Sequence, residues 1–294
     1  MTDDPMVTNA PARHSWFPAS ACDSSCLSTS SCEAGRVRRS WRVVALMTTV
    51  AVAVTLGVLV PLLPRSARAG YVRWMAVLLL ASIGIRVRVR HSELSLGGPR
   101  AAGAGLIVAN HISFLDILAI ATVSPARFVA KAELTRWPVI GTLTRRLGVI
   151  PIRRESLRDL PSVISDAVDG LRAGDNVGLF PEGTTRCGRG GGRFRPAIFQ
   201  AAVETEVTVQ PLVVSFHTPD GAISPVAAFI GTDNIADTMG RVLRAKGLTV
   251  HVRLCEPQWP GSDRRELADR CERIVFGEPS LIGLSSGIPA AMVS

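Results

Sequence analysis

A histidine and an aspartate five residues apart, His111 and Asp116, lie in the stretch Asn110-His111-Ile112-Ser113-Phe114-Leu115-Asp116. Imidazole exchanges a proton near neutral pH, and a carboxylate on one ring nitrogen leaves the other free to act as a general base. The spacing decides whether the two can meet. On one continuous helix they would sit about 140° apart, at roughly 100° per residue, so a helix alone would not pair them. The apolar run Gly105-Leu106-Ile107-Val108-Ala109 predicts a buried strand before this block, and Ile117-Leu118-Ala119-Ile120-Ala121-Thr122-Val123 a helix after it. A strand-to-helix corner with Asp116 in the first helical turn would bring the carboxylate back to the ring. The same residues allow a plainer reading, in which Asn110 or Ser113 caps the helix and Asp116 only complements its N-terminal dipole.

A second corner shifts the balance toward chemistry. Leu179-Phe180-Pro181-Glu182-Gly183-Thr184-Thr185 closes another predicted strand, and between the two corners lies Gly148-Val149-Ile150-Pro151-Ile152-Arg153-Arg154. Val209-Gln210-Pro211-Leu212-Val213 follows. These four ordered blocks resemble those of the glycerophospholipid acyltransferases, of which the 1-acylglycerol-3-phosphate acyltransferases are best known. The resemblance spans roughly residues 95 to 255 and leaves both ends of the chain uncovered.

The reaction this resemblance implies is transfer of an acyl group from a thioester to an alcohol. An alcohol attacks poorly unless its proton is withdrawn. His111 is the candidate general base, Asp116 its orienting carboxylate, and no covalent acyl-enzyme is required. Of the five histidines, His14 and His91 lie outside the predicted core, and His217 and His251 have no adjacent carboxylate. For an acceptor that carries a phosphate, Arg154 matches the family's arginine, and its guanidinium fork suits phosphate. Lys131, in Ala130-Lys131-Ala132-Glu133-Leu134, looks like the lysine of a phosphate-binding family segment. It is one of only two lysines among 33 basic residues. Glu182, Gly183 and Thr184 resemble the acceptor-binding block, with Gly183 letting a substrate approach the backbone. The commonest family pattern has an arginine directly after the first threonine. Here Thr185 stands there and Arg186 comes one place later. The Thr-Thr form also looks like that of enzymes acting on other lysolipids, including lyso-ornithine lipid.

Composition narrows the setting. The 294 residues are 47% hydrophobic with a net charge of +9, and the mean hydropathy is +0.27. That combination favours an anionic lipid surface. Nucleic acid is disfavoured because aromatic content is only 5%, no nucleic-acid module is recognisable, and many arginines flank apolar segments. The six cysteines, Cys22, Cys26, Cys32, Cys187, Cys255 and Cys271, form no evident disulfide framework. His14 and the three tail cysteines lack the paired short knuckles of a zinc site, so no metal and no cofactor are expected.

Residues 1–35 are polar and aperiodic, and the expectation is a disordered tail. Residues 43–63 contain no charged side chain, enough to cross a hydrocarbon core of about 30 Å at roughly 1.5 Å per residue. A second apolar stretch, 71–85, carries Arg73 and is short for a span. With Arg36, Arg38, Arg39 and Arg42 before the first stretch and Arg86, Arg88 and Arg90 after the second, the charge pattern favours a membrane-associated hairpin with both outer ends cytoplasmic. Residues 36–92 are therefore assigned to membrane-associated helices, 93–277 to the acyltransferase domain and 278–294 to a C-terminal tail. Within the domain, strands expected near 105–109, 127–130, 148–152, 176–181, 207–216, 225–230 and 248–254 alternate with helices. This argues an α/β fold with a largely parallel sheet flanked by helices, its site at the strand C-termini.

Two further motifs are weighed and set aside. Gly188-Arg189-Gly190-Gly191-Gly192 is expected to be a flexible surface loop rather than a phosphate cradle, because no helix opens on it. Gly283-Leu284-Ser285-Ser286-Gly287 matches a serine-hydrolase elbow, but no histidine follows His251.

The expected activity is O-acylation of a lysophospholipid, first 1-acylglycerol 3-phosphate, with acyl-CoA or acyl-carrier-protein as donor, at the cytoplasmic face of the cell membrane. The alternatives are another lysolipid such as lyso-ornithine lipid, or a catalytically silent lipid-binding protein of the same fold. Arg154→Ala is expected to lower kcat/KM for a phosphate-bearing acceptor roughly ten- to hundredfold, as charge-assisted hydrogen bonds are worth about 1.5–3 kcal/mol each. Hydrolysis of the thioester by water should be nearly unchanged, and equal losses in both reactions would make Arg154 structural or donor-binding.

Overall fold

A computed structural model describes residues 20, 22–27, 33–91, 105–133, 141, 148–153 and 156–277. Arg154, the C-terminal stretch 278–294 and its Gly283–Gly287 motif lie outside these residues.

Strand periodicity builds the centre. In β2 (Leu106–Ala109) all four residues are buried. Leu106 and Val108 face one core, with Val163, Ala167 and Leu171 of α4 (Leu160–Arg172) and Leu267 and Cys271 of α7 (Arg264–Phe276). Ile107 and Ala109 face the other, with Leu80 of α2 (Arg65–Ser82), Leu115 and Ile120 of α3 (Leu115–Ala121) and Val242 of α6 (Ile235–Arg244). Alternation with period two thus makes β2 the middle of a three-layer sandwich. Helix ends are fixed locally. At α6, Asn234 Oδ1 accepts Asp237 N–H at 3.0 Å while Asp237 Oδ2 accepts Asn234 N–H at 3.0 Å. A short helix, α5 (Gln200–Thr205), completes the α4 face.

The sheet adds β1 (Arg86–His91), β3 (Arg127–Lys131), β4 (Ile150–Ile152), β5 (Val177–Leu179), β6 (Val209–His217) and β7 (Thr249–Leu254). Its order is β1-β7-β6-β2-β5-β3-β4. All neighbours are parallel except β6 with β7. The α/β expectation of a largely parallel sheet flanked by helices agrees with this. Three local expectations do not. Arg86–His91, assigned to the membrane segment, pairs parallel with β7 as an edge strand, so the sheet begins before residue 93. Its alternating arginines and valines are the mark of an exposed edge, which the charge count disguised as a membrane flank. The stretch 225–230 is not a strand but a 3-10 turn, Pro225–Ala227, whose proline supplies no ladder donor. Third, parts of the 1–35 tail are ordered against the domain: Cys22, Cys26 and Leu27 pack on the core.

The two N-terminal helices form the expected hairpin. The first, α1 (Arg36–Gly57), is long and apolar enough to cross a membrane, and only 17% of its most apolar stretch is buried. Tyr71 Oη of α2 donates to Ala53 O at 2.6 Å, joining the two helices. Two of the hairpin's arginines reach the domain. Arg42, 7% exposed, donates to Leu243 O at 2.9 Å and Ala245 O at 2.6 Å, the unsatisfied carbonyls at the end of α6. Arg73 donates to Val123 O at 3.0 Å, just past α3. Gly84 makes the Arg42 contact possible: its φ is +84°, and a Cβ there would lie 2.2 Å from the guanidinium.

Gly84→Ala should therefore destabilise the folded chain by about 1–3 kcal/mol, through positive-φ strain and displacement of Arg42. A lowered midpoint in thermal unfolding of detergent-solubilised protein checks this, and an unchanged midpoint would show that Arg42 does not depend on the glycine.

Candidate active site

Parallel pairing of adjacent strands brings the two corners together. β2 and β5 are registered with Val108 opposite Leu179. The same offset of 71 residues carries past the strand ends to set His111 beside Glu182, whose Oε1 accepts the His111 backbone N–H at 2.9 Å. Both chains leave the sheet at one edge, as expected for loops beyond parallel strand C-termini.

Asp116 lies in the first turn of α3 and is fully buried. Its Oδ2 accepts the backbone N–H groups of Ile112 at 2.6 Å and Ser113 at 2.8 Å, and lies 2.9 Å from His111 Nδ1. One oxygen thus ties down the backbone of the corner just ahead of α3 and orients the imidazole at once, while its place in the first turn also suits the helix dipole. No side chain caps α3, so the capping role offered to Asn110 and Ser113 does not hold. Asn110 instead bridges to β6, donating to Val214 O at 2.9 Å and accepting Val214 N–H at 2.8 Å. Ser113 Oγ and Asp116 Oδ1 are buried without a hydrogen-bond partner among the described residues.

The ring of His111 is held on its flat face as well as at its edge. Phe180 stacks on it at 4.0 Å between centroids and 8° between planes, and Phe128 stacks beneath Phe180 at 5.6 Å. Gly178 admits Phe128, since a Cβ at that position would lie 2.6 Å from the Phe128 ring. With Nδ1 on Asp116 and Nε2 bonded to nothing among the described residues, the ring is arranged to take a proton through Nε2.

Glu182, 4% exposed, gathers the second corner. Besides His111 N–H, it accepts Gly192 N–H at 2.8 Å on Oε2. Arg186 Nε sits 2.8 Å from the same oxygen. The Arg186 N–H is not aimed at that oxygen, so this contact is Coulombic rather than a hydrogen bond. Burial outweighs these donors and raises the Glu182 carboxyl to about 7. Arg186 also donates its backbone N–H to His111 O at 2.8 Å, so the loop is tied to the histidine from both sides. Gly183 has φ +73°, turning the chain beside Glu182, and Thr184 is partly exposed in the same loop.

Lys131 closes β3, parallel to β5, and so emerges at the same edge. It lies half exposed, 3.3 Å from Glu133. Arg153 is taken by Asp159, with Nη2 to Oδ1 at 2.9 Å. The glycine-rich patch is an exposed loop anchored at its end: Gly192 N–H donates to Glu182, and a Cβ at Gly191 would lie 2.3 Å from Phe276. His217 and His251, the rival bases, stack on each other at 4.2 Å, and His217 is engaged by Ser215 and Gly221 O. Sequence reasoning missed Asn110 as a strand bridge, Phe180 and Phe128 as ring supports, and Arg186 as the partner of Glu182. The position of Phe180 directly after β5 was the one available signal.

The family model described as Acyltransferase matches residues 86–215. A lyso-ornithine lipid O-acyltransferase of Pseudomonas aeruginosa is 35% identical over 204 residues, covering 69% of this chain and 76% of the relative. A 1-acyl-sn-glycerol-3-phosphate acyltransferase of Neisseria meningitidis is 32% identical over 187 residues, covering 62% of this chain and 72% of the relative. The crystal structure of a 1-acyl-sn-glycerophosphate acyltransferase from Thermotoga maritima shares the fold at 22% identity, with a TM-score of 0.61 over 82% of this chain and 94% of that one.

The raised Glu182 carboxyl links pH to stability. Between its ordinary value of 4.5 and about 7 the folded chain holds a proton that the unfolded chain has released. The associated stability is full below pH 4.5 and is lost as pH rises through about 7. Its size is roughly 3 kcal/mol at about 1.36 kcal/mol per pH unit. Glu182→Gln should flatten this part of the pH dependence. Thermal unfolding of both proteins across pH 4.5 to 7 tests it, and parallel slopes would show that Glu182 is not the titrating group.

Proposed function

The chain belongs to the acyltransferase family, and on that premise we propose that it moves a fatty acyl group from a thioester carrier, acyl-CoA or acyl-carrier-protein, to the free hydroxyl of a lysolipid. The observation that carries the proposal is the buried pairing of His111 Nδ1 with Asp116 Oδ2 at 2.9 Å, which leaves Nε2 as the site of proton transfer. In the first step the acceptor oxygen attacks the thioester carbonyl carbon while Nε2 takes its proton, forming a C–O bond and a tetrahedral intermediate. In the second the C–S bond breaks, the carbonyl reforms, and the imidazolium returns the proton to the departing thiolate. Asp116 keeps Nδ1 protonated and stabilises the imidazolium between the two steps. Glu182 acts on position, holding the His111 backbone and the loop that carries Gly183 and Thr184 against the acceptor. No metal or cofactor takes part in this scheme.

The first acceptor proposed is 1-acylglycerol 3-phosphate, giving phosphatidate, with Lys131 and Arg154 on its phosphate. A specific observation favours a second acceptor, lyso-ornithine lipid. Arg186, the arginine nearest to the family's usual position, has its guanidinium drawn to Glu182, with Nε 2.8 Å from Oε2, so it is less available to a phosphate. The Pseudomonas aeruginosa relative bears that activity in its name.

The hairpin supports a membrane setting. Its outward face carries Trp41, Val44, Met47, Leu56, Leu59, Leu62 and Trp74, all more than 40% exposed. Its buried cation Arg42 is occupied by domain carbonyls. An apolar face of this kind anchors in lipid, and the net charge of +9 adds attraction to an anionic leaflet such as the cytoplasmic one.

Thiol release by the full-length protein, measured across a panel of lysolipids, tests the proposal. His111→Ala should lower transfer about 10²–10⁴-fold while leaving the circular dichroism unchanged, and Asp116→Asn should retain weak activity because an imidazole remains in place. Undiminished turnover by folded His111→Ala would sink the mechanism, and release with no lysolipid in the panel would leave the fold in a lipid-binding role.

A further inference from the structure

Three thiols from segments more than 160 residues apart meet beside the catalytic loop. Cys22 lies just ahead of a 3-10 turn, Ser24–Cys26, Cys26 ends it, and Cys187 directly follows Arg186. The three sulfurs all lie within 4.8 Å of one another, and all three cysteines are free. Spacing along the chain gave no sign of this site, because the third member comes from the other end of the fold. Cys22 and Cys26 also lie ahead of the residues matched by the family model, 86–215.

The site is built rather than incidental. Asp23 Oδ1 accepts the Ser25 N–H at 2.9 Å and sets the turn that spaces the two tail cysteines. Ser20 Oγ donates to Thr185 O at 2.8 Å, pinning the tail to the loop that holds Glu182. The Cys187 backbone N–H points at Cys22 Sγ, 3.3 Å away. A donor aimed at sulfur stabilises the thiolate, the form that binds metal. Cys187 is buried while Cys22 and Cys26 are partly exposed, so the cluster is open to a cation from solvent.

We propose that Cys22, Cys26 and Cys187 bind one thiophilic cation of zinc's class, which clamps the N-terminal segment onto the active-site loop. Zinc–thiolate bonds of about 2.3 Å in tetrahedral geometry put ligand sulfurs about 3.8 Å apart, so the observed spacing closes with movements of roughly 1 Å or less. Three protein ligands leave the fourth position to solvent. As each sulfur–metal bond forms, the thiol releases its proton to water, so affinity rises with pH. The clamp would act through Thr185, Arg186 and Cys187, the run that contacts both Glu182 and the His111 carbonyl. It does not depend on which lysolipid is the acceptor.

The test uses reduced full-length protein in detergent, loaded with Zn²⁺ alone and, separately, with Co²⁺. Bound metal per chain is measured after gel filtration, and the cobalt form is examined for thiolate-to-metal absorption. About one metal per chain is expected, with a tetrahedral thiolate spectrum. Cys22→Ser and Cys26→Ser, both in the partly exposed segment, should weaken binding at least about tenfold each, and Cys255→Ala should not. Zinc should also raise the unfolding midpoint of the parent and not of Cys22→Ser. Absence of bound metal, binding unchanged in both serine variants, or a Cys22–Cys187 disulfide under the same reducing conditions would overturn the proposal.

Discussion

A single carboxylate oxygen organises the site. Asp116 Oδ2 receives two backbone N–H groups and the His111 ring, all within 2.9 Å. Removing it would leave the Ile112 and Ser113 N–H groups of the corner without a partner and the imidazole without its edge contact. Because the same atom holds the corner's backbone and the ring, the strand-to-helix corner cannot form correctly without placing the histidine. Local folding and catalytic geometry are one constraint here.

That constraint works only on a sheet of the right sense. Parallel pairing of β2 with β5 makes both strands end at one edge and in register, so that His111 and Glu182 arrive side by side. An antiparallel neighbour would have sent the second corner to the opposite edge. Gly178 and Phe128 then carry the sheet's packing upward through Phe180 to the face of the imidazole. The ring is thereby fixed at its edge by charge and on its face by dispersion and ring stacking, two forces that restrict different motions.

The N-terminal region is joined to this core rather than appended to it. Arg42 and Arg73 carry charges that hydropathy alone would assign to a lipid boundary, yet both close helix C-termini of the domain. An apolar hairpin fastened by its cations presents its remaining face outward, and the domain is held at a set attitude to any membrane that face enters. The segment around Cys22 and Cys26 extends the same principle to the catalytic loop, where Ser20 and Cys22 contact Thr185 and Cys187.

The α/β class, the four ordered blocks, the hairpin's apolar stretches and the candidacy of His111 and Asp116 as a pair were legible in the sequence, because each rests on short-range periodicity or on residues a few positions apart. Family membership was legible for the same reason, in motifs that are contiguous. Only the tertiary structure decided which strands are neighbours, and with that the contact of His111 with Glu182 across 71 residues. It also decided that 86–91 is an edge strand rather than a membrane flank, that Arg186 belongs to Glu182, and that Cys187 meets Cys22 and Cys26. Those outcomes depend on strand order and on which side chains win a buried partner. Both are set by burial and pairing summed over the whole chain, and no local pattern encodes them.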